Sequence, residues 1–365
     1  MAETIVAADA AQNAGSIPLG SSGENVDEIP SVNIPEENEG SLLDKIRALR
    51  EDKQFENTRI RWMNRLKSLV LWIFRTVMIV GISYVIIGPL ISIISSSFFS
   101  DSDLYNNMVF VIPQNPTLER YINAFSYMSY PKVFVKTILY TLSLMVLNVL
   151  VCSMVGYGFA RFEFPFKKLF FGMVVVMIVI PIHTILFPLY ITFHNFNPLW
   201  IPQLATGQKL NLLGTYIPMY IMTLFGTGLR SGLYIYIFIQ FFRGLPKEIE
   251  EAAFVDGAGM FYTYFRIMLR NAMPAVVTVA IFSIVWQYND TSYARMFNFP
   301  SDAVLSIRIS SLSDTISNAM SISDPNITAL FNNAGIVLVI LPVMILYIVL
   351  QKQFVEGVER SGIVG

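Results

Sequence analysis

Apolar and polar stretches alternate along the chain in a pattern set by bilayer thickness. A hydrocarbon core of about 30 Å takes roughly 20 mostly apolar residues of helix. Five runs fit that length: 76–97, 137–160, 169–192, 272–288 and 335–354. The stretch 210–242 does not, because its 33 residues would make a helix of about 50 Å at 1.5 Å per residue. Gly226, Gly228, Arg230, Ser231 and Gly232 interrupt it. The pattern predicts a short interfacial or re-entrant helix at about 211–224 and a crossing at 225–243, which makes six spans within a domain covering 69–365.

Two segments precede that domain. Residues 1–40 are rich in Ala, Asn, Ser, Glu and Pro and hold almost no large apolar side chains, so burial there cannot offset the entropy of ordering. They read as a disordered acidic tail, and no basic start followed by an apolar run marks them as a secretory signal. From Ser41 onward Leu42, Leu43, Ile46 and Leu49 share a helical face, and Ser41 with Asp44 resembles a capping box. Residues 41–68 are therefore expected to form an amphipathic helix and linker, made basic by Lys45, Arg47, Arg50 and Lys53. Such a helix suits an anionic membrane surface and equally suits a solvated cap on the first span.

Composition narrows the class. Of 365 residues 54% are hydrophobic and only 14% charged, against roughly 25% charged in a soluble domain. The net charge of −1 hides eight acids and no Lys or Arg in residues 1–40. One cysteine, Cys152, and two histidines, His183 and His194, leave no material for a disulfide framework, a thiolate metal site or a histidine cluster. The basic residues lie beside apolar runs rather than in a stripe, which disfavours nucleic acid.

Charge also orients the spans, because short cytoplasmic loops collect Lys and Arg. With both termini cytoplasmic, eighteen of the 25 basic residues fall inside. Splitting 210–242 into two full crossings leaves fifteen inside, so six spans fit better.

No Gly-x-x-x-x-Gly-Lys-Ser/Thr loop occurs, so any ATP has to be hydrolysed by a partner. No Ser, His and Asp set stands out, and the spans are nearly free of the ionisable groups that membrane enzymes and ion-coupled carriers place at mid-depth. Asn148 and His183 read as interhelical hydrogen-bond groups.

The most informative stretch is Leu245-Pro-Lys-Glu-Ile-Glu-Glu-Ala-Ala-Phe-Val-Asp-Gly-Ala-Gly259. Pro246 suits a first helical turn, Glu248, Glu250 and Glu251 complement its positive end, and Gly257 can end it with positive φ. Ile249, Ala252, Ala253 and Asp256 fall on one side at steps of three and four. A short, small-faced helix at the cytoplasmic surface suits a partner's groove, and a plain loop joining two spans is the competing reading. A second cluster, Trp286-Gln-Tyr-Asn-Asp290, joins aromatic rings to amides and a carboxylate as sugar recognition does. The same residues also suit an outer aromatic belt, with Asp290 capping the span.

Glu251-Ala-Ala-Phe-Val-Asp-Gly-Ala258, preceded by Gly244-Leu-Pro-Lys-Glu-Ile and followed by Ile267-Met-Leu269, resembles the EAA loop of permease subunits in bacterial ABC importers. Phe162-Glu-Phe-Pro165, Phe187-Pro-Leu-Tyr190, Trp286-Gln-Tyr-Asn-Asp290 and Gln353-Phe-Val-Glu-Gly357 resemble the carbohydrate-uptake branch, in particular the second maltose-system permease. Arg270 stands where the family pattern usually has proline, with Pro274 four residues on, which leads us to expect a longer helix entering the fifth span. The resemblance covers most of residues 70–365.

It implies an all-α polytopic chain of the type I importer permease fold in a bacterial inner membrane. Its implied partners are a second homologous permease, two ATPase subunits that carry the ATP and magnesium, an external solute-binding protein and a sugar. No cofactor is implied on this chain. Glu250, Glu251, Ala252, Ala253, Asp256 and Gly257 would form the ATPase-coupling element, and Trp286, Tyr288, Asn289 and Asp290 are candidate pathway residues. The alternatives are a permease for a non-sugar solute such as a peptide, an ion-coupled secondary transporter, and a scaffold membrane protein without transport.

Overall fold

A computed structural model of the chain describes residues 39–198, 203 and 207–362, with side chains from Trp62 to Lys352. Residues 1–38, and with them nearly all of the expected acidic tail, lie outside the described residues. So do the side chains of Lys45, Arg47, Arg50 and Lys53. The chain divides into two compact units, Met1–Val80 and Gly81–Gly365.

The described residues are helical, with one isolated bridge between Phe196 and Leu210 and no strand among them. The first helix, α1, runs Glu39–Ser96. It begins two residues before Ser41, so Ser41 lies within the helix and not at its N-cap. Within α1 the stretch Trp62–Ser96 is strongly apolar, and none of its most apolar window is covered by the described residues. An apolar surface of that length left bare matches a bilayer rather than water.

Seven further helices position the sites. They are α2 (Asp101–Leu104), α3 (Glu119–Tyr127), α4 (Tyr130–Arg161), α5 (Lys167–Val179), α6 (Ile182–His194), α7 (Ile217–Leu224) and α8 (Ser231–Gly244). After them come α9 (Glu248–Val255), α10 (Met260–Tyr262), a π-type turn at Thr263–Met268, α11 (Leu269–Asn271) and α12 (Met273–Tyr288). The remainder is α13 (Ser292–Met296), α14 (Leu305–Ser310), α15 (Leu312–Met320) and α16 (Pro325–Gly362).

Helix α4 is the hub, packed by α8 and α12. Glycine sets how closely α8 approaches. A Cβ on Gly156 would lie 2.5 Å from the Cβ of Phe238, so the two helices meet almost backbone to backbone, as small residues permit within membranes. Asn148 ties all three helices together. It donates to Ser283 Oγ at 3.1 Å and accepts from Ser231 Oγ at 3.3 Å. That agrees with the reading of Asn148 as an interhelical group, whereas His183 is exposed.

Two expected spans are bent. The run 169–192 is not one helix: α5 and α6 meet at 104°. Pro181 is the cause, since proline pushes the residue before it out of the helical region, and Ile180 has φ −62° and ψ 123°. The segment Met260–Asn271 meets α12 at 78°, which corrects the expectation of a longer helix entering the fifth span. Pro274 sits in the first turn of α12 and cannot continue the preceding hydrogen-bond ladder, so the chain turns at Ala272 despite Arg270.

The sixth candidate, 225–243, also begins later than expected. Gly226 and Arg230 hold positive φ of 68° and 61° in a turn, and α8 starts only at Ser231. Its 14 residues span about 21 Å. Three helices are long and apolar enough to cross a membrane among the described residues, or up to five if each bent pair is one span.

Candidate functional site

The loop predicted to dock a partner is a formed helix with two unlike faces. Helix α9 starts after Lys247 and carries Glu248, Glu250 and Glu251 in its first turn, where carboxylates oppose the helix dipole. It ends in paired backbone bonds: Ala258 N donates to Ala253 O and Gly257 N to Phe254 O, both at 3.0 Å. Gly257 has φ 80°, the left-handed cap such a pair of bonds demands.

Glu250 turns inward. Its carboxylate accepts a hydrogen bond from the Tyr157 hydroxyl and lies 3.2 Å from Arg161 Nε. Arg161 also donates to the Leu245 carbonyl at 2.9 Å. Both ion-pair side chains are about nine-tenths buried, at 5% and 10% exposure. Buried charges persist only when paired and hydrogen-bonded, so this clamp fixes α9 to the last turns of α4. Tyr157 packs edge-on to Phe162 and Phe242 and tilted against Tyr264. Tyr264, in the π-type turn, shares a hydrogen bond of 2.6 Å with Ser153. Such turns recur at functional positions in helices.

The expected docking side is thereby split. Ala253 is buried and Ile249 packs on the core, whereas Ala252 and Asp256 are exposed. Glu250 belongs to the inward face as well. The outward face is Glu248, Glu251, Ala252 and Val255, and Val255 is 86% exposed. Phe254, Met260 and Phe261 extend an apolar surface beside it. Sequence reasoning missed Tyr157 and Arg161. Arg161 is one of the eighteen basic residues expected on the cytoplasmic side, and its place four residues after Tyr157 on one helical face was the available signal.

The second candidate cluster disperses. Tyr288 is buried and donates to the Val339 carbonyl at 2.8 Å, which ties α12 to α16. Trp286 is half exposed, with the Arg230 guanidinium 4.2 Å from its ring centroid, so one face of the expected stacking platform is taken by a cation. The Asn289 amide donates to Val285 O at 2.9 Å within its own helix end.

Asp290 caps the following helix rather than its own span. Its carboxylate accepts from Tyr293 N and Ala294 N, each at 3.2 Å, at the start of α13. Burial pushes its carboxyl up to about 6, against the lowering effect of those backbone bonds.

At the other end of α4 lies a feature with no counterpart in the sequence reading. A cavity of about 590 Å³ is lined by residues of α4, of α7 and the 214–216 segment that leads into it, and of the 300–303 segment. Lys136 and Asp302 pair across its rim at 2.6 Å, and this partner holds the Asp302 carboxyl below its ordinary range. Tyr140 and Tyr157 are 17 positions apart on α4, so the cavity and the clamp are separated by about 26 Å of one helix.

Comparison with known proteins converges on one family. The family of the binding-protein-dependent transport system inner membrane component matches residues 152–360, a segment that includes α9 and its clamp. The diacetylchitobiose uptake system permease protein NgcG of Streptomyces coelicolor is 28% identical over 281 residues, covering 76% of this chain and 84% of its own. The arabinooligosaccharides transport system permease protein AraQ of Halalkalibacterium halodurans is 27% identical over 306 residues, covering 83% of this chain and all of its own length. A chain from the crystal structure of a bacterial ABC transporter involved in the import of the acidic polysaccharide alginate shares the fold, with a TM-score of 0.60 at 18% identity, over 78% of this chain and 96% of that one. With more than half its length matched by the family pattern and its helices arranged as in an importer permease, the chain belongs to the binding-protein-dependent transport system inner membrane components.

Proposed function

We propose that the chain is a transmembrane permease subunit of an ATP-driven importer for a sugar or oligosaccharide, crossing the membrane six times with both termini cytoplasmic. The observation that carries the reading is the family match over residues 152–360 together with α9, a capped helix held by a buried ion pair on one face and bare on the other. The sugar assignment rests on relatives named for diacetylchitobiose and for arabinooligosaccharides.

A second permease completes the pathway, ATPase subunits bind the bare face of α9, and an external binding protein delivers solute. The chain itself is non-catalytic. ATP supplies differential binding to two states at one membrane surface, which is what allows a ligand to shift a conformational equilibrium. The Glu250 clamp converts movement of α9 into movement of α4, because a buried ion pair resists separation far more than a surface contact does. Glu251, Ala252, Asp256 and Gly257 form the contact surface and its stop, while Glu250 and Ala253 fasten the helix to the spans.

Reconstitution tests the reading. The chain alone in liposomes is expected to take up nothing under an ion gradient and to hydrolyse no ATP. With partner permease, ATPase and binding protein, sugar-stimulated hydrolysis and uptake are expected. Uptake by the chain alone under a proton or sodium gradient would contradict the assignment.

A further inference from the structure

The cavity at the end of α4 remote from the α9 clamp has the size and chemistry of a ligand site. Small-molecule pockets run from about 300 to 1,000 Å³ and combine aromatic walls with a few fixed polar groups, and about 590 Å³ falls within that range. Three phenol rings form its wall, with the Tyr140 centroid 5.0 Å from Tyr216 and 6.4 Å from Tyr220. Two of them are locked in place. Tyr216 donates to the Ala303 carbonyl at 3.0 Å, and Tyr220 shares a hydrogen bond with the Ser143 hydroxyl.

The polar groups are of two kinds. Ser143 and Tyr220 offer a hydroxyl pair in which either oxygen can donate. Lys136 and Asp302 supply a cation and a carboxylate that are 37% and 46% exposed. The Tyr140 hydroxyl is buried away from the cavity, with no hydrogen-bond partner among the described residues, so Tyr140 offers the cavity its ring alone. A neutral polyhydroxylated ring satisfies such a set, because its apolar faces lie on phenol rings while its hydroxyls exchange donors and acceptors with Ser143, Lys136 and Asp302. A fatty or simply charged ligand would leave one half of the set unused.

The geometry points to a carbohydrate subsite here, holding one or two sugar residues of the transported solute against α4 and α7. The inference rests on the sugar-importer reading, and it makes this chain, and not only its partner permease, a contributor to solute recognition. It also places the sugar on the helix that carries the coupling clamp at its far end.

Thiol protection in the assembled complex tests it. Leu139, which lines the cavity and is 64% exposed, is replaced as Leu139→Cys. Cys152 is fully buried and stays silent. An exposed control, Asp314→Cys, reports general access. Modification by an impermeant thiol reagent is followed with binding protein alone and with binding protein loaded with diacetylchitobiose or an arabinooligosaccharide, while ATP hydrolysis is recorded in parallel.

The sugar that stimulates hydrolysis is expected to slow modification at Leu139→Cys and not at Asp314→Cys. Adding Tyr220→Phe or Ser143→Ala is expected to raise the concentration for half-maximal protection about fivefold, the loss of one net hydrogen bond. Protection by unloaded binding protein equal to that by the loaded form would overturn the subsite in favour of a protein-docking surface. Protection unchanged by Tyr220→Phe, or absent while hydrolysis is stimulated, would overturn the subsite and leave the importer reading standing. Failure of every sugar to stimulate hydrolysis would overturn the importer reading itself.

Discussion

Glu250 and Gly257 sit seven positions apart and were grouped together as coupling residues, yet they hold α9 in different ways. Replacing Glu250 by Ala leaves the Arg161 charge buried without its partner, which costs about 3 kcal/mol or more. Thermal unfolding of the assembled complex should show that loss in Glu250→Ala and much of it recovered in Glu250→Ala with Arg161→Met. At Gly257 no atom of the described residues lies within 4 Å of where a Cβ would stand, so among them only the backbone opposes substitution. Gly257→Ala should therefore cost about 1 kcal/mol and Gly257→Asn less, whereas Gly257→Pro loses both the positive φ and the bond to Phe254 O. Uptake is expected to survive the first two and fail in the third at normal abundance.

Asp290 adds a pH dependence. Its folded value of about 6 lies above the ordinary 3.8, so the protonated form is favoured by folding. Its contribution is present at low pH and is lost as pH rises from about 3.8 through 6. The stability difference between the parent and Asp290→Asn should move against the parent across that window, and a flat difference would contradict the burial of the carboxyl.

Elements were legible where composition alone fixes them and illegible where one proline or one contact does. The apolar runs of α4 and α16 announced themselves, as did the start and glycine stop of α9. The bend at Pro181 did not, because hydropathy is the same for a straight span and a broken one. Arg270 drew attention to a missing proline while Pro274 turned the chain anyway. Which α9 residues face inward was not legible, because alanine spacing cannot say which side a neighbouring Arg161 and Tyr157 will hold. The cavity was beyond reach, since α4, α7 and residues 300–303 are distant in sequence.

Helix packing offers its own test. Gly156→Ala places a methyl 2.5 Å from the Phe238 Cβ, and overpacking of this kind costs about 1–3 kcal/mol. Removing the Phe238 ring leaves that Cβ in place, so Phe238→Ala should not rescue Gly156→Ala in thermal unfolding, whereas Phe238→Gly should in part. Rescue by Phe238→Ala would mean that side-chain crowding, not backbone approach, sets the α4–α8 distance.

At the scale of the molecule, function requires that the two ends of α4 lie on opposite sides of a membrane. Cysteines at Asn115 and Asp314 should react with an impermeant reagent in intact cells and one at Gly257 should not, whereas reaction at Gly257 would reverse the orientation. The central claim is that α9 drives the spans through the Glu250 clamp. The most direct measurement is the number of sugar molecules imported per ATP hydrolysed, in proteoliposomes holding the whole complex with either parental chain or Glu250→Gln combined with Tyr157→Phe. These changes keep the side-chain volumes while removing the charge and the hydroxyl. Continued ATP hydrolysis with a several-fold fall in sugar imported per ATP is the expected result. An unchanged ratio at equal assembly would contradict the claim.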